Sequence, residues 1–170
     1  MSLLLEAAVS PKTHKSRNRL KEVVLDEATI PRGVIDADHE RTVAIFDLVE
    51  ENSFGVPGRD DGPYVLTISQ EESKLTFNVS DARGDEALSI VVSMTPFRPL
   101  LKDYFMVCET YYSAIRTASP RQIEAIDRER TALHNEGADL MAQRLADKVT
   151  IDQGTARRLF TLVSTLRWKT

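Results

Sequence analysis

The period of the hydrophobic pattern changes near residue 95, and this change constrains the fold more than any other feature of the sequence. Between residues 64 and 94, apolar and polar residues alternate along three short segments, as Leu75, Phe77 and Val79 do in the second one. Alternation places the apolar side chains on one face of a strand, so the pattern predicts an antiparallel meander with one wet face. From Thr95 onwards the apolar residues recur every three or four positions, as they do in amphipathic helices.

Three helices are predicted after the meander. The first begins at Thr95, which can cap it, and its apolar stripe over Phe97–Ile115 is expected to anchor the core. The second covers Pro120 to about Lys148, behind a Ser-x-x-Gln capping box. The third begins between Thr150 and Asp152.

Before the meander, the sequence predicts one strand and one helix. Val23 and Leu25 alternate with acidic residues, which is typical of a strand with one buried face. A helix is predicted from Asp36, which can cap it, to about Asn52, and the segment Gly55–Pro63 that follows is too rich in Gly and Pro for regular structure. Together these elements predict an α+β fold. In it, a small antiparallel sheet of three to four strands is covered on one face by three to four helices, the last three consecutive.

The chain is near the size of one typical domain, at 170 residues. Its first residues mix Ser, Pro, Lys and Asn without periodicity, and the stretch Lys12–Lys21 contains five basic residues and no acid. We therefore expect a mobile basic tail over residues 1–18 and a single α+β domain over residues 19–170.

Charge and composition exclude several classes of protein. The net charge of −4 weighs against sequence-independent binding of nucleic acid, which requires many positive charges to neutralise phosphates. The lone cysteine, Cys108, excludes an internal disulfide and a zinc site built from cysteines, and it fits a reducing compartment. The opening Met1–Leu5 has no basic region before its apolar residues, so neither a signal peptide nor a membrane span is predicted. These observations predict a cytoplasmic protein that binds neither membranes nor nucleic acid.

Five stretches of the sequence resemble one protein family when taken in order. They are Asp38–Asp47, Thr95–Arg98, Lys102–Phe105, Gln122–Asp127 and Thr155–Leu162. They resemble the alphaproteobacterial uncharacterised protein family 0262, and the similarity extends over nearly everything from Arg19 to Lys169, whereas the first eighteen residues depart from the shorter beginnings of that family. The resemblance implies a bacterial cytoplasmic protein, and it supplies neither an activity nor catalytic residues.

Basic residues provide the main functional signal. Two lie four positions apart near the start of one predicted helix, and two more are adjacent near the start of another. Helix N-termini favour anions, so these residues could hold a phosphate or a carboxylate, with a C-terminal tryptophan as a stacking surface. The same residues are also typical of a solvated basic face, which the absence of a phosphate-binding glycine motif favours. The candidate ligand-binding residues are Arg98, Lys102, Arg130, Arg157, Arg158 and Trp168.

Arg130 is a candidate because it interrupts an apolar seam in the helix from Pro120. A buried arginine needs an acidic partner or a ligand, but a long guanidinium side chain can also extend to water along the seam, and we favour that second interpretation. Gly137 in the same seam predicts the close approach of another backbone. The other members of the seam are Ile123, Ile126, Leu133 and Leu140.

The side chains of the stripe from Phe97 admit two interpretations. Cys108 could be a nucleophile, but it lies between Tyr104 and Tyr112, where a small apolar thiol packs well, so we predict a core position. The tyrosines could stack on a planar ligand, although tyrosines at helical spacing beside an apolar stripe are more often core or interface residues.

The histidines do not predict a metal site. His39 has three acidic neighbours, but helical periodicity turns Asp38 and His39 away from Asp36 and Glu40, and acids already stabilise a helix start. His134 stands alone in the sequence, without a second histidine at metal-ligand spacing. We predict no metal and no cofactor, and no catalytic residue can be assigned.

Two functional hypotheses remain. The first is a non-enzymatic interaction or regulatory protein with a protein partner, because the sequence has no catalytic constellation but has a basic tail and a long helix with an apolar seam. The second is a binding protein or enzyme for a small phosphorylated or carboxylated metabolite, held by the basic helix starts, with Gly55–Pro63 as a lid that could serve catalysis if an acid such as Asp61 reached the ligand. The seam around Leu133 and Leu140 could pack within one chain or across the twofold axis of a homodimer.

Overall fold

The computed structural model describes residues 16–32 and 35–166, and the predicted α+β class is confirmed there, with the last three helices consecutive. The strands are β1 (Leu20–Leu25), β2 (Phe54–Gly55), β3 (Tyr64–Glu71), β4 (Lys74–Ser80), β5 (Glu86–Ser93) and β6 (Thr150–Ile151). The helices are α1 (Ile35–Glu50), α2 (Arg98–Thr117), α3 (Pro120–Leu145) and α4 (Gln153–Ser164), and a 3-10 turn over Thr95–Phe97 precedes α2.

The main sheet has the strand order β1-β3-β4-β5. Its last three strands form the predicted antiparallel meander, in which Phe77 lies between Ile68 and Ile90. β1 is parallel to β3, however, so the sheet is mixed and not wholly antiparallel. Parallel neighbours need a long crossover, and α1 supplies it because it lies between the two strands in sequence. β2 and β6 form a separate antiparallel pair.

One face of the sheet is buried and the other is wet, as the alternation predicts. On the outer face Thr67, Thr76 and Asn78 are half-buried, and Val91 on the edge strand is 61% exposed. The inner face is covered by helices and forms the core, since burying aliphatic side chains is the main stabilising contribution to folding. Its buried side chains include Leu66, Ile68, Leu75, Phe77, Val79, Ile90 and Val92.

Helix α4 lies at the centre of the helical layer, packed against both α1 and α3. Its predicted apolar face is buried, but Thr155 and Leu162 outside that face are buried too, so the helix is covered on nearly all sides. The ring of Phe160 is stacked at 6.5 Å from that of Phe97 and meets the ring of Tyr104 edge-on at 5.7 Å. α4 therefore contacts the 3-10 turn and α2 through aromatic rings.

The segment that enters β1 is fixed by backbone hydrogen bonds. The N–H of Phe54 donates to the carbonyl of Asn18 at 2.9 Å, and the N–H of Tyr64 donates to the carbonyl of Arg19 at 2.8 Å. The side-chain amide of Asn52 pairs with Leu20 in both directions, accepting its N–H at 2.7 Å and donating to its carbonyl at 3.0 Å. Residues 16–18 of the predicted tail thus contact the domain, and residues 1–15 lie outside the described residues.

One predicted helix cap is wrong and one is confirmed. α1 begins at Ile35, one residue before Asp36, and the side chain of Asp36 lies outside the described residues. Thr95 lies in the 3-10 turn, and neither that turn nor α2 has a side-chain cap, because the chain leaves β5 already in a helical conformation. At α3 the capping box is present: Ser119 accepts the N–H of Gln122 at 3.3 Å, and the Gln122 side chain accepts the N–H of Ser119 at 3.0 Å.

Candidate functional site

The two arginines of α4 bind different parts of the protein. The guanidinium of Arg157 donates to the side-chain oxygen of Asn135 on α3. The guanidinium of Arg158 lies 3.7 Å from a carboxylate oxygen of Glu51, just after α1. Adjacent residues on a helix point about 100° apart, so these two side chains do not form one binding surface.

The helix N-termini are not arranged as the predicted anion site requires. At the start of α4, the carboxylate of Asp152 accepts the N–H of Thr155 at 2.8 Å, so a protein side chain already occupies the positive end of this helix. Arg98 and Lys102 are exposed on the first two turns of α2. Trp168, the remaining C-terminal candidate, lies outside the described residues.

Asp61, the acid of the predicted lid loop Gly55–Pro63, is hydrogen-bonded to residues close to it in the sequence. Asp61 accepts hydrogen bonds from Nε of Arg59 at 2.9 Å and from the hydroxyl of Tyr64 at 3.0 Å. The hydrogen bond from Arg59 is the main reason that the pKa of Asp61 lies below its ordinary value. Arg59 also lies 3.7 Å from the buried carboxylate of Asp81, so these charges tie the loop to the end of β4.

Two of the six candidate residues do lie together, in a cleft between α2, α3 and α4. We call it the arginine cleft; it has a volume of about 210 Å³ and is lined by Tyr104, Arg130, Thr131, His134 and Arg157. Among the described residues, neither Asp nor Glu lines it, although Asp127 pairs with Arg130 beside it. The cleft is therefore lined by two basic side chains and bounded by three helices.

Arg130 is fixed by contacts on two sides. Its guanidinium donates to the carboxylate of Asp127 at 2.6 Å and lies 4.0 Å from the centre of the Tyr111 ring. The side chain is 30% exposed, which agrees with the predicted extension toward water, although an acidic partner is present as well. A single hydrogen bond to Asp127 leaves other guanidinium N–H groups able to reach the cleft.

His134 lies in the arginine cleft as a neutral imidazole. The hydroxyl of Thr161 donates to the carbonyl of Arg157 at 3.0 Å, so its oxygen accepts from Nε2–H of His134 at 2.7 Å. Nδ1 of His134 is buried and has no hydrogen-bond partner in the described part of the chain. Burial, together with the positive charges of Arg157 and Arg130, lowers the pKa of His134 to about 4.

A larger groove lies between α1 and α2, with α4 as its floor. We call it the α1–α2 groove, and its volume is about 700 Å³. The two helices that form its walls have few close backbone contacts with each other, whereas α2 packs against α3 and α1 packs against α4. The lining residues are His39, Glu40, Val43, Ala44 and Asp47 from α1, Tyr104, Phe105, Cys108, Glu109 and Tyr112 from α2, and Thr161, Ser164 and Thr165 from the end of α4.

The α1–α2 groove is both apolar and acidic. Glu40, Asp47 and Glu109 contribute three carboxylates, and neither Lys nor Arg is among its lining residues. Burial raises the pKa of the Cys108 thiol, and burial also raises the pKa of Tyr104, so both groups are uncharged at neutral pH. A protonated, half-buried thiol is a poor nucleophile, and Cys108 serves here as part of the groove wall.

The predicted core stripe of α2 is buried only at its beginning. Phe97 and Leu101 are buried, but Tyr112 is 67% exposed and Ile115 is 51% exposed. The prediction that the whole stripe anchors the core is therefore wrong for its second half, where Tyr112 and Ile115 are exposed. Periodicity identified the stripe but could not distinguish a core from an open groove.

His134 was also missed as a cleft residue, although it follows Arg130 by four positions, a spacing that places two side chains on one face of a helix.

Neither a metal centre nor a membrane span is found in residues 16–32 and 35–166. The described part of the chain has no group of three or more His, Cys, Asp or Glu side chains that could hold a metal ion. No helix within these ranges is both long and apolar enough to cross a bilayer.

Comparison with known proteins identifies close relatives of unknown activity. The model of Uncharacterised protein family (UPF0262) matches residues 17–169. A UPF0262 protein of Methylobacterium radiotolerans is 54% identical over 89% of this chain and 94% of its own length. Another, from Rhizobium meliloti, is 54% identical over 89% of this chain and 95% of its own, and one from Hyphomonas neptunium is 52% identical over 88% and 92%. No solved structure matches this chain.

Proposed function

The chain belongs to Uncharacterised protein family (UPF0262), and we propose that it is a non-enzymatic interaction or regulatory module of the bacterial cytoplasm. The observation that carries this proposal is the α1–α2 groove, an open apolar channel between two helices that have few close backbone contacts with each other. Its occupant is an amphipathic helix of a partner protein, with basic residues beside its apolar face.

Exposed apolar side chains beside the groove support a protein partner. Val43 and Tyr112, which line it, are 44% and 67% exposed. Phe46 and Ile115, on the next turns of the two wall helices, are 65% and 51% exposed. Large apolar side chains clustered around one channel are typical of interaction sites, whereas single exposed ones are ordinary.

The dimensions of the groove suit a short helix. On α1 the lining residues extend from His39 to Asp47, and on α2 they extend from Tyr104 to Tyr112. At 1.5 Å per residue each wall is about 12 Å long, which corresponds to two to three turns of a docked helix. The apolar face of that helix would contact Val43 and Tyr112 above the floor formed by the end of α4.

The charge of the groove defines the partner further. Its carboxylates, Glu40, Asp47 and Glu109, lie on both walls, and no basic side chain of the described residues lines it. Lys or Arg residues that flank the apolar face of the partner would lie near these carboxylates, which favours the correct partner and speeds its association.

A designed peptide tests this proposal directly. The probe is a fluorescent helical peptide of about 14 residues, with Leu on one face and Lys on the others. We expect saturable binding by fluorescence anisotropy, and we expect Tyr112→Ala and Glu109→Lys each to weaken it roughly tenfold. Glu129→Lys is the matched control, because it changes the net charge equally at an exposed position on α3 that does not line the groove.

Three outcomes would contradict the proposal. Equal weakening by Glu129→Lys and Glu109→Lys would mean that the peptide responds only to net charge. If a peptide with Glu in place of every Lys bound equally tightly, the carboxylates of the groove would not favour a basic partner. If sedimentation instead showed a dimer that Tyr112→Ala dissociates, the occupant of the groove would be a second copy of this chain and not a basic partner helix.

The alternative function, binding of a small phosphorylated or carboxylated metabolite, has separate support. The basic residues first grouped for it are dispersed, because Arg158 pairs with Glu51 while Arg98 and Lys102 are exposed on α2. Arg130 and Arg157 lie in one cleft, however, and this favours an anion site at a different place from the helix N-termini.

A further inference from the structure

The arginine cleft holds two guanidinium groups that act on the same small space. Arg130 reaches it from α3 and Arg157 from α4, and the positive charges of both lower the pKa of His134 between them. An anion bound there is attracted by both guanidinium groups, and more strongly by Arg157, because Arg130 is already paired with Asp127 while the partner of Arg157 is a neutral amide. A neutral His134 adds no third positive charge.

The contacts of the two arginines hold them in place without filling their hydrogen-bonding capacity. Arg130 lies against the Tyr111 ring and donates to Asp127, and Arg157 donates to the neutral side chain of Asn135. Each guanidinium carries five N–H groups in a rigid fork, so donors remain for a ligand. Because its partner is an amide, the positive charge of Arg157 is not cancelled by that contact. Preorganised donors of this kind lose little conformational entropy on binding.

The size and the polar lining of the cleft limit the ligand to a small group. A volume of about 210 Å³ accepts one compact anionic group and leaves a larger remainder outside. Thr131 on α3 adds a hydroxyl-bearing side chain to the lining, and Tyr104 on α2 closes the third side. Donors that reach the cleft from two helices, α3 and α4, suit a tetrahedral oxyanion, whose oxygens point in different directions.

We propose that the arginine cleft binds the phosphate group of a small phosphate monoester, held between the guanidinium groups of Arg130 and Arg157. The hydroxyl of Thr131 donates to a third phosphate oxygen. Thr161 and Asn135 position His134 and Arg157 and do not touch the ligand. The remainder of the ester lies outside the cleft, on the side open to solvent.

Inorganic phosphate is the probe, and the titration of His134 is the readout. In the full chain at matched ionic strength, phosphate should give saturable chemical-shift changes at His134 and should raise its pKa from about 4 toward the ordinary value, because the bound anion offsets the positive field. Arg157→Gln should weaken phosphate binding roughly tenfold or more. The same variant should raise the pKa of His134 even without phosphate, which tests the geometry independently of binding.

Arg158→Gln is the matched control, since it removes the same charge at the next residue, whose side chain pairs with Glu51 away from the cleft. Arg130→Lys keeps the positive charge but removes the planar guanidinium group with its fixed N–H donors. It should therefore weaken phosphate binding in a protein that still folds. The proposal is overturned if phosphate gives no saturable change beyond that of chloride, or if Arg158→Gln weakens binding as much as Arg157→Gln. A glycerol phosphate that binds no more tightly than free phosphate would show that the cleft is an inorganic phosphate site and not one for an ester. Each of these outcomes is independent of whether a peptide binds the α1–α2 groove.

Discussion

Gly137 shows how closely α3 and α4 approach each other. A Cβ atom at this position would overlap the ring of Phe160, which is fully buried and lies against Phe97 and Tyr104. The sequence predicted the close approach of a backbone, and the structure shows that the neighbour is an aromatic ring. The glycine is therefore a packing requirement at the centre of the helical layer.

We expect Gly137→Ala to destabilise the protein by about 1–3 kcal/mol, because the overlap with Phe160 outweighs the gain of about 1 kcal/mol in helix propensity. Urea denaturation measures the change. As a control, Ala132→Gly on the exposed side of α3 should cost about 1 kcal/mol through propensity alone. A Gly137→Ala protein that is more stable than the parent would contradict the packing argument, and Phe160→Leu in the same chain should relieve the overlap.

Two arginines show what the sequence could and could not reveal about single residues. Arg130 interrupts an apolar seam and was recognised for that reason, yet it is partly exposed. Arg41 lies between the buried residues Ala37, Ala44 and Leu48 on α1 and is itself 7% exposed. Its guanidinium donates to the carbonyls of Thr165 at 3.1 Å and Pro31 at 2.9 Å, so it ties α1 to the end of α4. The seam on α1 is short and rich in alanine, so its periodicity was too weak to reveal this buried charge.

At the scale of elements, the hydrophobic pattern of each segment predicted most strands and helices. Which strands pair, and in which direction, could be predicted only where the connections between strands are short. β3, β4 and β5 are joined by tight turns, which leave only antiparallel pairing. β1 is separated from β3 by α1 and a long loop, so the same alternation is compatible with either direction, and the parallel pairing was missed. The α1–α2 groove was missed for a related reason: a helix stripe reveals an apolar face but not whether another element covers it.

The hairpin between β3 and β4 contains a strained residue that allows a test of local geometry. Glu71 is paired with Lys74, so the turn consists of Glu72 and Ser73, and Glu72 has a φ of 54°. A side chain in this left-handed region costs about 1–2 kcal/mol, and glycine avoids most of that cost. We expect Glu72→Gly to stabilise the protein by up to about 1 kcal/mol after the greater chain entropy of unfolded glycine is deducted.

Thermal and urea denaturation measure this change. Ser73→Gly, at the neighbouring position where φ is not positive, is the control and should be neutral or destabilising. Equal effects of both substitutions would mean that the turn does not hold Glu72 in the left-handed region.

At the scale of the whole molecule, the two candidate sites share walls. Tyr104 lines both the α1–α2 groove and the arginine cleft. Thr161 lines the groove and accepts the hydrogen bond from His134 in the cleft. The acidic groove and the basic cleft thus share the side chain of Tyr104, although the chain as a whole carries a charge of only −4. We expect a change of charge in one site to alter the binding of a charged ligand in the other.

We therefore expect phosphate and the basic peptide to bind with positive coupling. The positive charge of Arg130 and Arg157 opposes a basic helix in the groove, and phosphate in the cleft would remove part of that opposition. At a separation of roughly 10 Å in a water-like dielectric, one charge contributes about 0.4 kcal/mol before screening, so at low ionic strength the peptide should bind up to roughly twofold more tightly with phosphate present. Because coupling is reciprocal at equilibrium, the peptide should tighten phosphate binding by the same factor.

Arg157→Gln isolates the cause: it should strengthen peptide binding without phosphate and reduce the further effect of phosphate. If the variant leaves the affinity for the peptide unchanged, the two sites are independent and the shared tyrosine is only a partition between them.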